Sequence, residues 1–353
     1  MASERHFRHI PPFPDHVPVI SINTISLADL RSADGNSAQS MLAACQELGF
    51  FSLSLRGDSL GEAMMEDIDQ LFDVARDIMD LPPHVKQQYL HDIPRSFLGF
   101  KPLGHAKTET EEPDRFEWFN LGQDGLMGTA PLQPLPHLVQ SHLPLFRSFL
   151  HRGQSLQKTI CSALEAQLSL PEGILMASQT PTKPSGTVIR LIKALACPRD
   201  EDLRTSMIHH TDFGTITLLA NVVGGLQILT PGGSAADEGA WLWVRPVPGC
   251  LIVNLGDAMV QWTGGILRSN VHRIRYPPGQ QRRVDRYSLA ILFRPEREAS
   301  MKNKTGEGEG GDTGNVADDG NLTAWEWEVK KAMALSRGDA VVQSKGGKLL
   351  YGN

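Results

Sequence analysis

The stretch TITLLANVVGGLQIL, residues 215–229, contains two short apolar runs separated by the paired glycines Gly224 and Gly225. Runs of this length that are rich in Ile, Leu, Val and Thr are typical of β-strands, and paired glycines are typical of a tight turn. Similar runs, bounded by Gly, Pro or Asp, lie on both sides: TVIRLI (187–192), WLWVRPV (241–247), CLIVNLG (250–256), NVHRIRY (270–276) and YSLAILF (287–293). Seven closely spaced strands predict a sandwich, barrel or jelly roll rather than alternating β-α-β units.

Helical patterns flank this β-rich region. Apolar residues at helical spacing predict helices over 37–48, 59–81 and 143–168. Thr323-Ala324-Trp325-Glu326 has the form of a capping box before a last helix. Residues 298–320 are rich in Gly, Glu and Asp and have almost no large apolar side chain, which predicts a mobile loop.

We therefore expect an α+β fold organised as one integrated domain. Its parts are an N-terminal helical and strand region (1–184), a jelly-roll core (185–297), a mobile acidic Gly-rich loop (298–321) and a C-terminal helix and tail (322–353).

Composition and charge restrict the class of protein. Of the 353 residues, 41% are hydrophobic and 21% are charged, as in ordinary globular proteins. The net charge of -6 leaves no basic face for nucleic acid. No stretch approaches the roughly 20 apolar residues that span a bilayer, and His, Arg and Pro interrupt the first 17 residues where a signal peptide needs an apolar run. We expect a cytoplasmic monomer or homodimer with no nucleic-acid or membrane partner.

Three side chains form a candidate metal site. His210 and Asp212 are two positions apart, so an extended strand would place both side chains on one face. His272 follows in another predicted strand, which a jelly roll could bring alongside. Two His and one carboxylate form the facial triad of non-haem Fe(II) oxygenases, which leaves coordination positions open for substrates.

A candidate carboxylate site follows the triad in sequence. Arg286 and Ser288 come fourteen and sixteen residues after His272, and strand alternation would aim both side chains to one side. Arg binds a carboxylate through a bidentate fork.

These motifs resemble the Fe(II)/2-oxoglutarate-dependent dioxygenases of the isopenicillin N synthase-like group, especially its fungal members. The resemblance covers nearly the whole chain except the acidic Gly-rich segment. It is carried by HHTDFGTITLL (209–219), VGGLQIL (223–229), VPGCLIVNLGDAMVQWTGGILRSNVHRI (247–274) and DRYSLAILFRP (285–295).

The resemblance implies a fold, a reaction and site residues. The fold is a distorted double-stranded β-helix, a cupin-like jelly roll flanked by helices. His210, Asp212 and His272 would be the catalytic Fe(II) ligands, and Arg286 and Ser288 would hold the distal carboxylate of 2-oxoglutarate. Dioxygen would be the second cosubstrate. The products would be succinate, CO2 and an oxidised, most simply hydroxylated, small molecule of fungal secondary metabolism.

One position departs from the family pattern. Many relatives have a Tyr in an R-x-x-x-Y motif that contacts the cosubstrate, whereas this chain has Arg190 followed by Ala194 at the Tyr position. The methyl group of Ala194 cannot donate that hydrogen bond. We expect weaker 2-oxoglutarate binding than in Tyr-bearing relatives.

The substrate pocket is expected near residues 97–119, the region that walls it in relatives. The candidate substrate contacts are Arg115, Phe116 and Trp118, beside Phe97, Phe100 and Phe119. This mixture suits an apolar, aromatic or polycyclic molecule with one polar handle. The alternative is that the aromatic residues fill the interface between helices and sheet.

Other functions stay open on the sequence alone. An iron oxidase of the same fold could use Arg286 and Ser288 for a carboxylate other than 2-oxoglutarate. Two His and one Asp also suit a zinc hydrolase, although Arg286 and Ser288 would have no role there and no general base is apparent. A non-catalytic small-molecule binding protein is the third alternative, against which the complete ligand set argues.

Overall fold

A computed structural model describes residues 4–32, 34–93, 95–105, 113–197, 205–305, 321–336, 341 and 343–347. Most of the loop predicted over 298–321, namely residues 306–320, lies outside the described residues. The strands are β1 (Thr24–Ser26), β2 (Phe50–Ser54), β3 (Gly99–Lys101), β4 (Phe116–Gly122), β5 (Val188–Ala194), β6 (Thr205–His210), β7 (Ile216–Asn221), β8 (Leu226–Leu229), β9 (Trp241–Trp243), β10 (Cys250–Leu255), β11 (Arg268–Ser269), β12 (His272–Arg275), β13 (Arg286–Leu292) and β14 (Lys345–Gly346).

Nine helices accompany these strands in the described part of the chain. They are α1 (Leu27–Arg31), α2 (Gly35–Glu47), α3 (Ser59–Met79), α4 (Pro83–Lys86), α5 (Gln123–Met127), α6 (His137–Ser141), α7 (Leu143–Gln167), α8 (Asp257–Trp262) and α9 (Ala324–Ser336). None of them combines the length and apolar character needed to cross a membrane.

Two sheets build the core. The larger has the strand order β1-β2-β10-β7-β13-β5-β4-β3, and the smaller has the order β6-β12-β8-β9. All neighbouring pairs are antiparallel except β1 with β2. Ile192 and Thr217 of the larger sheet and Leu226 and His272 of the smaller one line the same cavity, so the sheets face each other. This arrangement confirms the α+β jelly-roll expectation.

Helices cover the outer face of the larger sheet. Leu71 of α3 and Leu156 of α7 are fully buried in one cluster with Leu289 and Ile291 of β13. Burying a side chain of this kind contributes about 1.5–3 kcal/mol. Gly153 lets α7 approach closely, because a Cβ atom there would lie 2.3 Å from the Ile291 side chain.

The last helix begins at the predicted capping box and packs against the body of the protein. Thr323 caps it, since its hydroxyl accepts from the Glu326 N–H while the Glu326 carboxylate accepts from the Thr323 N–H. Lys331 of α9 and Lys345 of β14 both form ion pairs with the buried carboxylate of Asp257 at the start of α8. The C-terminal segment therefore lies beside the short strand β11, just before His272 in sequence.

Candidate active site

The structure brings the three predicted metal ligands together. His210 is the last residue of β6 and His272 is the first residue of β12, and the two are paired in register across the smaller sheet. Asp212 lies beyond the end of β6, so the expectation that one strand presents both residues of the His-x-Asp pair is wrong. The loop instead turns the carboxylate toward the imidazoles. One donor atom from each of the three residues lies within 4.8 Å of the others.

Backbone carbonyl groups orient both imidazoles. His210 Nδ1 lies 2.8 Å from the Ile208 carbonyl oxygen, and His272 Nδ1 lies 3.2 Å from the Asn270 carbonyl oxygen. An Nδ1–H that donates to a carbonyl leaves the lone pair on Nε2, which is the atom a metal binds. Both Nε2 atoms face Asp212, at 3.8 Å and 4.0 Å from its Oδ1.

The two carboxylate oxygens of Asp212 have different surroundings. Oδ2 accepts hydrogen bonds from the Thr217 hydroxyl at 2.7 Å and from the Asn254 amide at 2.8 Å. Oδ1 accepts none from the part of the chain that the structure describes, and it is the oxygen nearest both imidazoles. Such outer contacts fix a ligand in the orientation that a metal needs.

The protonation states also suit a cation. Burial, together with the neighbouring imidazole of His272, lowers the pKa of His210 to about 4. Burial acts to raise the pKa of Asp212, but His272, His210 and the donors on Asn254 and Thr217 outweigh it and bring that pKa to about 2. At neutral pH the site therefore presents a neutral imidazole at His210 and an ionised carboxylate at Asp212.

The predicted carboxylate site lies in the same cavity, hereafter the Arg286 cavity, whose volume is about 690 Å³ including space open to solvent. Arg286 donates from Nε to the Gly224 carbonyl at 2.8 Å and from Nη1 to the Ser288 hydroxyl at 3.0 Å. Its Nη2 atom is buried and has no hydrogen-bond acceptor among the described residues. Gly225 (φ +117°) permits this packing, because a Cβ atom there would lie 2.7 Å from the Arg275 carbonyl oxygen.

Ala194 occupies the wall of the Arg286 cavity where many relatives have Tyr. In the larger sheet it is paired with Arg286 on one side and Phe116 on the other, so no hydroxyl group stands in this row. The preceding residue, Lys193, points away and forms an ion pair with Asp80 at 2.8 Å. Lys193 therefore does not replace the missing Tyr.

A second cavity, hereafter the Trp118 cavity, adjoins the first and has a volume of about 1180 Å³ including space open to solvent. Of the three predicted substrate contacts, Phe116 and Trp118 line it. Arg115 lines neither cavity. Its guanidinium group donates to the Ala196 carbonyl at 2.9 Å and lies 5.8 Å from the centre of the Tyr276 ring. A role for Arg115 in substrate binding stays a prediction that this geometry does not support.

The other aromatic residues of this region divide between the two interpretations. Phe97 lines the Trp118 cavity, whereas Phe100 and Phe119 are buried in the main hydrophobic core. Phe213, beside the ligand Asp212, also lines the cavity.

Charged residues in the Trp118 cavity were missed by the sequence analysis. They are Lys101, Arg190 and Arg294, and Glu328 of α9 lies behind the lining, with Oε2 3.6 Å from Arg294 Nη1. Arg190 lies in the run TVIRLI and Arg294 in the motif DRYSLAILFRP, but the side to which each guanidinium points depends on strand register. Glu328 could have been found only by knowing which face of α9 is inward.

Comparisons with known proteins agree with this geometry. Residues 186–295 match the 2OG-Fe(II) oxygenase superfamily, and residues 17–137 match the family described as the N-terminal region of a non-haem dioxygenase in morphine synthesis. The chain belongs to the 2-oxoglutarate-dependent dioxygenases of the 2OG-Fe(II) oxygenase superfamily.

Individual relatives are fungal. A 2-oxoglutarate-dependent dioxygenase of Aspergillus fumigatus is 30% identical over 315 residues, which are 82% of this chain and 80% of the relative. The 2-oxoglutarate-dependent dioxygenase frbH of a Dothideomycetidae species is 27% identical over 286 residues, 79% of this chain and 83% of the relative. This chain is therefore an Fe(II)- and 2-oxoglutarate-dependent oxidoreductase, which confirms the expected enzyme class.

Solved structures share the fold. A full-length Neurospora crassa protein in complex with alpha-KG superposes with a TM-score of 0.74 at 19% identity, covering 92% of this chain and all of the other. A 2OG-Fe(II) oxygenase family protein of Caulobacter crescentus superposes with a TM-score of 0.68 at 24% identity, covering 89% of this chain and 99% of the other.

Proposed function

We propose that this enzyme oxidises, most simply by hydroxylation, a small and largely apolar organic molecule in fungal secondary metabolism, with release of succinate and CO2. His210, Asp212 and His272 would hold Fe(II), and Arg286 with Ser288 would bind the distal carboxylate of 2-oxoglutarate. Bound iron with this cosubstrate activates dioxygen for the oxidation of a C–H bond. The observation that carries the proposal is that three oriented metal donors share one cavity with a buried guanidinium whose Nη2 has no acceptor among the residues that the structure describes.

The residues fit this cofactor and cosubstrate. The donor set is that of a facial triad, in which three side chains bind one face of the ion and leave the opposite face free. The protein's own part is to hold the ligands, to bind the cosubstrate carboxylate and to exclude water. Apolar side chains that line both sides of the triad, such as Phe50, Leu226 and Phe213, support the last role.

The experiment is a substrate screen scored by succinate release. Purified protein, Fe(II) and 2-oxoglutarate are incubated with fungal metabolite extracts, and succinate is quantified against oxygen consumption. We expect substrate-dependent succinate, none with Asp212→Ala, and a raised 2-oxoglutarate requirement with Arg286→Ala. Substrate oxidation without 2-oxoglutarate would instead favour the cosubstrate-independent oxidase.

The screen also addresses the remaining alternatives. Hydrolysis without oxygen consumption would favour the zinc hydrolase, and failure to bind iron and 2-oxoglutarate would favour the non-catalytic binding protein. We further propose that the regions 1–184, 185–297, 298–321 and 322–353 form one integrated catalytic domain, and that the enzyme is a cytoplasmic monomer or homodimer.

A further inference from the structure

The Trp118 cavity contains a guanidinium group that no carboxylate of the described residues binds. Arg190 of β5 lies at the boundary of the two cavities and lines both, together with His210 and Asp212. Its Nε donates to the Asn120 side-chain oxygen at 2.8 Å, and its guanidinium carbon lies 4.3 Å from the centre of the Trp118 ring. These two contacts hold the group in place and leave its terminal amino groups without an acceptor among the described residues.

The other cations of this cavity have their own partners. Lys101 forms a buried ion pair with Asp114. Arg294 faces the carboxylate of Glu328, with Nη1 and Oε2 3.6 Å apart, which is an ion-pair distance without a hydrogen bond. Among the described residues that line the cavity, Asp212 alone carries a negative charge. The proposed function assigns Asp212 to the metal. Arg190 is therefore left with an unmatched positive charge.

An unmatched charge on a half-buried side chain such as Arg190 is costly, and its retention needs a compensating interaction. Arg presents parallel N–H donors that match a carboxylate in a bidentate fork. The surrounding walls are aromatic and apolar, formed by Phe97, Phe116, Trp118 and Phe213. A ligand that suits both features has a carboxylate at one end and a flat apolar body.

We propose that Arg190 binds a carboxylate group of the substrate, so that the enzyme's substrates are small organic acids with an aromatic or otherwise apolar body. This inference rests on the proposed function and names the substrate class of that same site. Arg190, rather than Arg115, then binds the polar handle of the substrate that the sequence leads us to expect.

One other carboxylate could reach Arg190. Because Arg190 also lines the Arg286 cavity, the C1 carboxylate of 2-oxoglutarate is a possible partner. If Arg190 binds the substrate, an Arg190 substitution weakens binding of the organic acid. If Arg190 binds the C1 carboxylate of 2-oxoglutarate, the substitution weakens binding of 2-oxoglutarate itself.

The experiment compares acids with their neutral amides. Protein loaded with Mn(II) and 2-oxoglutarate is titrated by calorimetry with 2-naphthoate, phenylacetate and octanoate, and with the primary amide of each. We expect at least one acid to bind at least tenfold more tightly than its amide. Arg190→Gln should remove this preference and leave amide binding unchanged, whereas Arg190→Lys, which keeps the charge, should retain part of it.

Lys193→Gln is the matched control. It removes a cation from the same strand, but Lys193 points away from both cavities toward Asp80 and Asp285. We expect this variant to keep the full preference for the acid. Melting temperatures and titration of Mn(II) and 2-oxoglutarate establish that each variant is folded and loaded.

The outcomes separate this inference from the proposed function. Protein that binds Mn(II) and 2-oxoglutarate but binds no acid in preference to its amide would overturn the substrate class alone. A preference for the acid that survives in Arg190→Gln would also overturn the substrate class. A tenfold loss of 2-oxoglutarate affinity in that variant, without a change in acid preference, would overturn it as well. Protein that binds neither Mn(II) nor 2-oxoglutarate would overturn the proposed function itself.

Discussion

Asp212 presents Oδ1 to the two imidazoles and uses Oδ2 to accept two hydrogen bonds from the protein. The outer contacts therefore determine which oxygen can bind a metal. The Thr217 hydroxyl makes the shorter contact, at 2.7 Å.

The substitution Thr217→Val should lower metal affinity about 10–100-fold, because the isosteric side chain cannot donate a hydrogen bond to Asp212 Oδ2. Thr217→Ser keeps the hydroxyl and should bind metal nearly as the wild type does. Titration with Mn(II) measures both constants. Equal affinity in the Val and Ser variants would contradict the positioning role of this hydrogen bond.

Ala194→Tyr should strengthen 2-oxoglutarate binding. The substitution places a phenol in the cavity row beside Arg286, and one hydrogen bond of about 1 kcal/mol corresponds to roughly a fivefold lower dissociation constant. Anaerobic titration of the Fe(II)-loaded protein measures the change.

Ala194→Phe is the control, since it adds the ring without the hydroxyl group. An equal effect in both variants would assign the change to packing against Phe116, which is the cross-strand neighbour of Ala194. Weaker binding in the Tyr variant alone would contradict the prediction.

Sequence alone identified the metal-ligand candidates but not the residues that orient them. His210, Asp212 and His272 form a residue pattern that can be recognised without coordinates. Thr217 and Asn254 belong to β7 and β10, and their convergence on Asp212 depends on the register between those strands. No role for Arg190 could be predicted either, because the cavity that its side chain faces also depends on strand register.

The segment after β13 links the sheet to the chain that precedes the core. Glu296 is buried and accepts hydrogen bonds from the Thr180 backbone N–H at 3.0 Å and from the Thr180 hydroxyl at 2.6 Å. Its other oxygen accepts from Lys183 at 2.9 Å. Burial acts to raise the pKa of Glu296, but Thr180 and Lys183 outweigh burial and hold that pKa below its usual value.

Glu296→Gln should lower the free energy of unfolding at pH 7 by about 1–3 kcal/mol, because charge-assisted hydrogen bonds are lost. A carboxylate with a lowered pKa stabilises the fold above its unfolded-state pKa, near 4.3, and this contribution is lost as the pH falls through the folded-state pKa. Denaturant unfolding should therefore show a wild-type advantage at pH 7 that shrinks toward pH 3.

Glu298→Gln is the matched control, since Glu298 is two residues away and exposed. It should change the unfolding free energy little at either pH. A difference between wild type and Glu296→Gln that stays constant from pH 7 to pH 3 would show that the carboxylate charge is not its source.

Periodicity predicted the regular elements well and the connecting geometry poorly. The long helix predicted over 143–168 is α7, and the seven β-rich runs overlap β5, β7, β8, β9, β10, β12 and β13. The six-residue helix α8 was too short for its period to be detected. The inward face of α9 carries Trp327 and Glu328, because packing against Phe213 and Arg294 decides its orientation.

The larger sheet joins distant parts of the chain. β2 is paired with β10, and β4 is paired with β5, so strands from before residue 185 flank, on both edges, the block of strands from after it. A fragment of residues 185–297 would expose the paired edges of β5 and β10 and the face that α3 and α7 cover.

We therefore expect the isolated 185–297 fragment not to fold. Exposed strand edges and an uncovered apolar face favour aggregation. Circular dichroism and size-exclusion chromatography should show a disordered or aggregated species, whereas the full chain unfolds cooperatively. A soluble fragment with a sharp thermal transition would contradict the single-domain proposal.

The pairing of β2 with β10 also bears on biosynthesis. Leu53 is opposite Leu251, so a nascent chain must grow by about 200 residues before the earlier strand meets its partner. At about 5–20 residues per second, translation leaves that hydrophobic segment waiting for roughly 10–40 seconds. During this interval the growing polypeptide is a natural client for ribosome-associated chaperones, and its yield in a heterologous host should depend on them.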